Sequence, residues 1–369
     1  MSLTSKSPRT VLLIAMDVAR RSLPAYAHRC SPKKFTQHQL FACLVLKGFC
    51  RTDYRGIVVM LSEWSDLREV IGLKVVPHFT TLQKAAARLL LRSEANRLLE
   101  ATLTCADERS SSRAVTKLAA IDSSGFETRH ISSYFVKRRD RDFKSRGIWQ
   151  TTTYRPYPKL GLVCDCETHL VIAALPGRGP GADITHLDQV MVEGFCRRSI
   201  DTLLADAGYD AEWAHEFLRH DLGIHSIIPA GIGRPTARPP SGFYRRRMKQ
   251  QFPNEIYGQR WQVETVFSMI KRRLGAALNA KTYWSQCRAL MLKVITHNIM
   301  IICYVLWGFL QSRSGVINCI PIHPKPPAPD FRPRLPTRRR VNSRQALRMN
   351  SEEEDSVGRI VAEEGGIGE

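Results

Sequence analysis

The sequence predicts an α/β fold, in which a mixed-sheet core domain follows a helical N-terminal region and precedes a disordered C-terminal tail. Apolar residues recur at three- and four-residue spacing between about 37 and 103, which is the period of a helix. From residue 117 onward, short apolar runs alternate with helical segments, a pattern typical of an α/β domain. Proline and arginine dominate after residue 321, and such a segment buries too little apolar surface to fold.

These patterns divide the 369 residues into a helical region at 1–103, a core domain at 117–310 and a tail at 321–369. Residues 1 to about 35 are basic and weakly patterned, and the serine-rich segment 104–116 predicts a linker. In the N-terminal region, Thr80 or Thr81 is expected to cap the last helix. One helix here could enter a DNA groove, but the sequence lacks a clear helix-turn-helix glycine turn, so a plain helical bundle carries equal weight.

The core domain is predicted to begin with strands and to continue with alternating helices and strands. Apolar runs separated by turn residues predict the strands. The segment 235–253 is rich in proline and basic residues, and this composition predicts a surface loop. In chain order we expect a strand at 117–122, a hairpin of 159–165 and 169–175, a helix at 184–195, a strand at 201–206, a helix at 211–218, a strand at 226–229 and long helices over 257–310.

The charge balance points to a polyanionic partner. The chain has 55 Lys and Arg residues against 34 Asp and Glu residues, a formal net charge of +21. Such a surplus supports phosphate contacts that do not depend on sequence, so DNA or RNA is the expected partner. A basic surface kept for solubility or ribosome contact is the alternative.

The cysteines and apolar segments predict a cytoplasmic protein without a membrane span. The ten cysteines are scattered and mostly lie in apolar runs, as buried thiols of a reducing compartment do. The close pair Cys164 and Cys166 fits a hairpin better than half a metal site, and no zinc is assigned. The apolar run 11–16 is interrupted by Asp17, and 298–310 is short for a bilayer span, which favours a buried core helix.

Two apolar runs end in aspartates that could share a metal ion. Asp122 follows Leu-Ala-Ala-Ile, and Asp206 follows Leu-Leu-Ala. Ligands of open α/β sheets lie beyond the carboxyl ends of strands, so neighbouring strands would bring the two carboxylates together. Oxygen ligands on a phosphate-contacting ion form the Mg²⁺ pattern, and two such ions suit an in-line displacement. Taken alone, Asp206 is equally well explained as a residue of a tight strand-to-helix turn.

A third acid lies on a helix that carries cations beside it. At about 100° per residue, Tyr257, Arg260, Glu264 and Lys271 fall within a sector of about 60°. The apolar residues form a neighbouring stripe, which is expected to pack on the core, namely Val263, Val266, Phe267, Ile270 and Leu274. Glu264 alone could be half of an exposed ion pair with Arg260 at i and i+4.

The order Asp122, Asp206, Glu264, together with the Tyr-x2-Arg-x3-Glu-x6-Lys spacing of residues 257–271, resembles the DDE transposases of bacterial and archaeal insertion sequences. More narrowly, it resembles insertion-sequence families four and five. The resemblance covers about 117 to 300 well and 35 to 100 more loosely. It implies a ribonuclease H-like catalytic core and the cut-and-paste chemistry of transposition, with cleavage at transposon ends and transfer of the freed 3′-hydroxyl into target DNA.

The resemblance also implies a role for each motif residue. Asp122, Asp206 and Glu264 are expected to be catalytic metal ligands for Mg²⁺ or Mn²⁺, with two ions. Tyr257, Arg260 and Lys271 are expected to hold DNA phosphates, for which a guanidinium fork and an ammonium group are suited. A homodimer is expected to join the two DNA ends at the nucleoid. The alternatives are a nuclease of the same fold that cuts without joining and a domesticated, catalytically silent DNA-binding protein.

Overall fold

The computed structural model of the chain describes residues 4–109, 115–128, 157–231 and 240–313, with side chains described as far as residue 304. The predicted tail at 321–369 and residues 110–114 of the serine-rich segment lie outside these residues. The described remainder of that segment corrects the linker expectation, because a helix continues to Asp107 and a strand begins at Val115. The first part of the chain is helical, as predicted, and contains six helices: α1 Pro8–Ser22, α2 Gln37–Phe49, α3 Tyr54–Glu63, α4 Ser65–Val70, α5 Phe79–Leu89 and α6 Arg92–Asp107.

Helix α1 corrects the expectation that residues 1–35 are weakly patterned. The Ser7 side chain caps the helix by accepting from the backbone N–H of Thr10. Pro8 occupies the first turn, where a backbone N–H would have no partner within the helix, so the N–H that proline lacks is not missed. Leu12 and Ala15 are fully buried, and the helix packs on α2 and α6. The apolar run 11–16 is therefore part of the core.

Capping residues define the starts of two further helices. Thr36 and Gln39 form a reciprocal capping box at α2, which satisfies two N–H groups that the helix leaves unpaired. At α5, the cap is His78, whose side chain accepts from the N–H of Thr80. The expectation of Thr80 or Thr81 as the cap is wrong, because the helix begins at Phe79 and both threonines lie inside its first turn.

A mixed five-stranded sheet forms the centre of the following domain and confirms the predicted α/β class. Its order is β4-β3-β1-β5-β6, with antiparallel pairing across β4, β3 and β1 and parallel pairing across β1, β5 and β6. A separate two-stranded parallel pair joins β2 and β7. The strands are β1 Val115–Gly125, β2 Glu127–Thr128, β3 Tyr157–Asp165, β4 Val171–Gly179, β5 Ser199–Leu204, β6 His225–Ile227 and β7 Ala277–Leu278.

Helices cover the sheet and lead away from it. Helix α7 packs on β3 and β4, and α11 packs on β1 with its predicted apolar stripe buried. The segment 235–253 was expected to be a loop, but residues 243–250 form a helix. The helices are α7 Leu187–Arg197, α8 Glu212–Glu216, α9 Phe243–Gln250, α10 Asn254–Tyr257, α11 Trp261–Leu274 and α12 Tyr283–Arg313, with 3₁₀ turns at Asp183–His186, Ala207–Tyr209 and Gly258–Arg260 and a π turn at Phe217–Asp221.

Helix α12 joins the N-terminal helices to the sheet. It packs on α1, α2 and α6 and also on β3 and β4. Its buried Asn298 accepts from the N–H of Val171 and donates to the Val171 carbonyl and the Thr102 hydroxyl, each at 2.9 Å. By length and composition, residues 283–304 of this helix could cross a bilayer, but 72% of the apolar window is buried inside the protein. A core position accounts for its apolar character.

Candidate active site

The register of two parallel strands places Asp122 and Asp206 beside each other. The last parallel pair between β1 and β5 joins Ala120 to Leu204, and each aspartate lies two residues beyond its member of this pair. Neighbouring strands are about 4.8 Å apart, so the two carboxylates start from adjacent backbone positions. The sequence predicts that Asp122 ends its strand, and this is wrong. Strand β1 continues to Gly125, and its last residues pair with β3 alone.

Asp122 is mostly buried and lies among other charged groups. Its side chain is 20% exposed, and it accepts from the backbone N–H of Ser123 at 2.7 Å. Burial raises the pKa of Asp122, the Ser123 N–H and the Arg260 guanidinium oppose this shift, and the negative charges of Asp206 and Asp183 add to it. The carboxylate therefore has a local excess of negative charge that a cation can offset.

Asp206 lies on a turn. It follows β5 and caps the 3₁₀ turn Ala207–Tyr209, where its side chain accepts from the N–H of Ala207. Unlike Asp122, it is exposed to solvent. The side chain therefore makes the turn-forming contact considered from the sequence, and the turn holds it at the same edge of the sheet as Asp122.

Glu264 reaches this edge from the first turn of α11. Arg260 donates to Glu264 Oε1 at 2.6 Å and approaches Asp122 Oδ2 at 3.4 Å. The predicted i,i+4 ion pair is thus present, and the same guanidinium also contacts an aspartate 138 residues earlier. Glu264 is 57% exposed. One arginine therefore lies between the first and third of the predicted acids.

The motif is helical but is not one continuous α-helix. Tyr257 ends α10, the 3₁₀ turn Gly258–Arg260 follows, and α11 starts at Trp261. A 3₁₀ helix advances about 120° per residue, so the sector calculated from 100° steps does not hold across this turn. Tyr257 is half-buried, with its ring 4.8 Å from that of Phe252. Burial raises the pKa of Tyr257, and the nearby Arg260 opposes the shift.

Lys271 lies further along the sheet. Its ammonium group donates to the Ser124 hydroxyl at 2.8 Å and lies 5.1 Å from the centre of the Phe126 ring. Seven residues of helix separate Lys271 from Glu264, a distance of about 10 Å along the axis. The structure therefore places Arg260 among the acids and Lys271 about two turns away, beside the end of β1.

Asp183 is a fourth acid near the site. Its carboxylate accepts from the Ser123 hydroxyl at 2.5 Å and forms an ion pair with Lys159. Neither Asp183 nor Asp210 caps the helical segment that it precedes or begins. Asp183 makes no capping bond, while Asp210 binds the guanidinium of Arg245. The Gly-Ala-Asp sequence around Asp183 has neither helical nor strand periodicity, so the contact of Asp183 with β1 could not be predicted from it.

Within the described ranges, no three His, Cys, Asp or Glu side chains lie close enough to hold a metal ion in their present positions. The nine described cysteines are free thiols, and five of them are buried. The site is thus a group of carboxylates at the carboxyl edge of two parallel strands, with an arginine between two of them.

Carboxylates gathered at one sheet edge are suited to a divalent ion that contacts phosphate oxygens. Residues 113–299, just over half of the chain, match the sequence profile described as the transposase DDE domain. The chain belongs to this family. No curated protein matches the chain. Membership supports a transposase function and implies DNA as the partner, and DDE transposases generally use divalent metal ions.

Proposed function

We propose that the protein is an insertion-sequence transposase that binds terminal inverted repeats, cleaves DNA at the transposon ends and transfers the strands to target DNA in a cut-and-paste reaction. The observation that carries this proposal is the common register of Asp122 and Asp206, two residues beyond the pair Ala120 and Leu204. Arg260 connects this edge to Glu264. This arrangement supports our proposal that Asp122, Asp206 and Glu264 are the two aspartates and the glutamate after which the DDE family is named.

The donor set fits a hard divalent cation. Asp122, Asp206 and Glu264 offer carboxylate oxygens, the ligands that Mg²⁺ and Mn²⁺ prefer. The position of the Arg260 guanidinium between two of them supports the fit, because a positive charge is already accommodated there. We propose these residues as the ligands of two ions. When bound, the ions would activate the attacking oxygen and stabilise the leaving oxygen of an in-line displacement.

The protein's own contribution is to position DNA. Arg260 can bind a phosphate with two parallel N–H groups, and Lys271 offers a point charge about two helical turns away. Tyr257, packed on Phe252, presents its hydroxyl near Arg260. We propose that these three residues hold successive phosphates of the cleaved strand, so that the scissile phosphate lies over the carboxylates.

The remaining expectations form part of the same proposal. The sheet order, with three antiparallel strands followed by two parallel ones, supports a ribonuclease H-like core within 117–310. The helical region 1–103 would contribute to DNA-end binding. A homodimer would join two ends, and the protein would act in the cytoplasm at the nucleoid. A motif of the insertion-sequence family four and five type supports the narrower family assignment.

The test is the Glu264→Gln variant, which removes one negative charge and keeps the side-chain volume. We expect it to abolish Mg²⁺-dependent cleavage of a transposon-end duplex and to spare binding of that duplex, measured by fluorescence anisotropy. Full cleavage activity would refute the assignment. If the unmodified protein cuts the duplex but never joins the freed 3′-hydroxyl to a target plasmid, it is a nuclease of the same fold, and if it only binds, it is a silent DNA-binding protein.

A further inference from the structure

Helix α9 is a strongly basic element in the interval between Asp206 and Glu264. Its sequence, Phe-Tyr-Arg-Arg-Arg-Met-Lys-Gln, contains four cations and no acid. Met248 is buried, whereas Arg246, Arg247 and Lys249 are exposed. The helix therefore has one side that packs on the protein and one side that presents positive charge to solvent.

The N-terminal end of α9 is fixed to the turn that follows Asp206. Arg245 donates to both carboxylate oxygens of Asp210, at 2.8 and 2.7 Å, and the Asp210 side chain is only 2% exposed. Glu212 accepts from the backbone N–H groups of Tyr244 and Arg245. Because a bidentate pair and a carboxylate at a helix N-terminus both fix geometry, α9 is held at Asp210 and Glu212, which lie four and six residues beyond the second predicted acid.

The C-terminal end of α9 is followed directly by the Tyr257 motif. The helix ends at Gln250, and Phe252 packs edge-on against Tyr257 with ring centres 4.8 Å apart. Tyr257 in turn lies near Arg260. Helix α9 is thus anchored at one end to the residues that follow the Asp206 turn, and at the other end it leads into the motif helix.

The exposed cations of α9 are not neutralised by ion pairs within the described part of the chain. Among the described side chains, no carboxylate forms an ion pair with Arg246, Arg247 or Lys249, and Arg246 bonds only the Gly242 carbonyl. Arg219 stacks on Tyr244 at 4.8 Å. Burial lowers the pKa of Arg219, and the positive charge of Arg247 adds to this shift. Like charges held this close repel each other, and a polyanion would relieve the repulsion.

We propose that α9 is a DNA-contact surface beside the active site and that Arg246, Arg247 and Lys249 pair with phosphates of the duplex. The identity of the partner rests on the proposed function, whereas the surface itself is defined by charge and anchoring. Side chains from about one turn of helix suit backbone phosphates, which would make the contact independent of sequence.

The experiment measures metal-free binding of a random-sequence 30-base-pair duplex across a series of salt concentrations. It does not involve cleavage, so its failure is distinct from failure of the proposed function. In the Arg246→Gln/Arg247→Gln/Lys249→Gln variant, we expect the slope of log affinity against log salt to become shallower by about 2 to 3, because each phosphate contact contributes about 0.9. Near 0.1 M salt, each lost contact corresponds to about an eightfold loss of affinity.

A matched pair of single substitutions controls for net charge. Lys249→Gln should reduce the slope by about 0.9, whereas Lys117→Gln should leave it unchanged. Lys117 is exposed but lies five residues before Asp122, at the opposite end of β1. The Arg246→Lys/Arg247→Lys variant keeps the charges and should retain the slope, which separates loss of contact from misfolding. An unchanged slope in the triple variant, or equal effects of Lys249→Gln and Lys117→Gln, would overturn the proposal.

Discussion

Replacement of Arg260 by Gln should strengthen metal binding to the DNA-free protein. Arg260 lies 2.6 Å from Glu264 Oε1 and 3.4 Å from Asp122 Oδ2. An ion that uses these carboxylates must compete with the guanidinium for them. DNA would remove this competition if a phosphate draws the arginine away. In Arg260→Gln the carboxylates are free of that competitor, and the variant should bind the ion more tightly while binding DNA less tightly.

The size of the effect follows from the exposure of each pair. Glu264 is 57% exposed, and exposed i,i+4 pairs contribute about 0.3 to 0.5 kcal/mol. Arg260 and Asp122 are each only 20% exposed, so their longer contact is screened less, and we assign it about 1 kcal/mol. Metal binding must break both pairs. Their loss amounts to about 1.5 kcal/mol, or roughly a tenfold tighter dissociation constant.

The assay is a Mn²⁺ titration of the DNA-free protein, followed by electron paramagnetic resonance of the unbound ion. Arg272→Gln is the matched control, because Arg272 lies on the same helix and bonds Ser268 instead of a carboxylate. We expect its Mn²⁺ affinity to equal that of the unmodified protein. Unchanged or weaker Mn²⁺ binding by Arg260→Gln would refute the competition.

Two further predictions concern stability. Asn298→Leu leaves the buried N–H and carbonyl of Val171 without the partners seen at 2.9 Å. The variant should lower the free energy of unfolding, measured by urea denaturation, by about 2 to 4 kcal/mol. Asn254→Ala, on the surface, is the control and should change this free energy little. Burial lowers the pKa of His297 to about 4, so the unfolded chain, with a pKa near 6.5, binds the proton first. The contribution of neutral His297 to the free energy of unfolding is fully present above about pH 6.5 and should be lost toward pH 4, by on the order of 3 kcal/mol. A His297→Gln variant with the same pH dependence as the unmodified protein would contradict this.

The strand pattern of the core domain could be predicted from the sequence because each strand is a short apolar run bounded by turn residues. The hairpin around Cys166 depends on such local signals. The sequence leaves open whether the strands that lead to Asp122 and Asp206 are neighbours; the β1–β5 register makes them so, although Asp122 lies within β1 and not at its end. The continuation of β1 to Gly125 was not predictable, because it depends on pairing with β3 alone.

Other features depend on contacts that a sequence pattern does not encode. Helix α9 looks like a loop by composition, and its position depends on the ion pair between Arg245 and Asp210. The contact of Asp183 with Ser123 joins residues 60 positions apart. The 3₁₀ turn at Gly258–Arg260 interrupts a motif whose spacing suggests one helix. In each case tertiary packing overrides a local preference.

The position of α12 has a practical consequence for anyone who wishes to isolate the catalytic part of this transposase. The matched segment ends at residue 299 and begins after all six N-terminal helices, yet α12 packs on α1, α2 and α6 as well as on the sheet. A fragment of residues 113–299 would therefore expose the face of α12 that these helices cover, and it would lose the Thr102 hydroxyl that Asn298 binds. Such a fragment should aggregate and be poorly soluble. Purification should therefore start from the chain with its N-terminal helices retained.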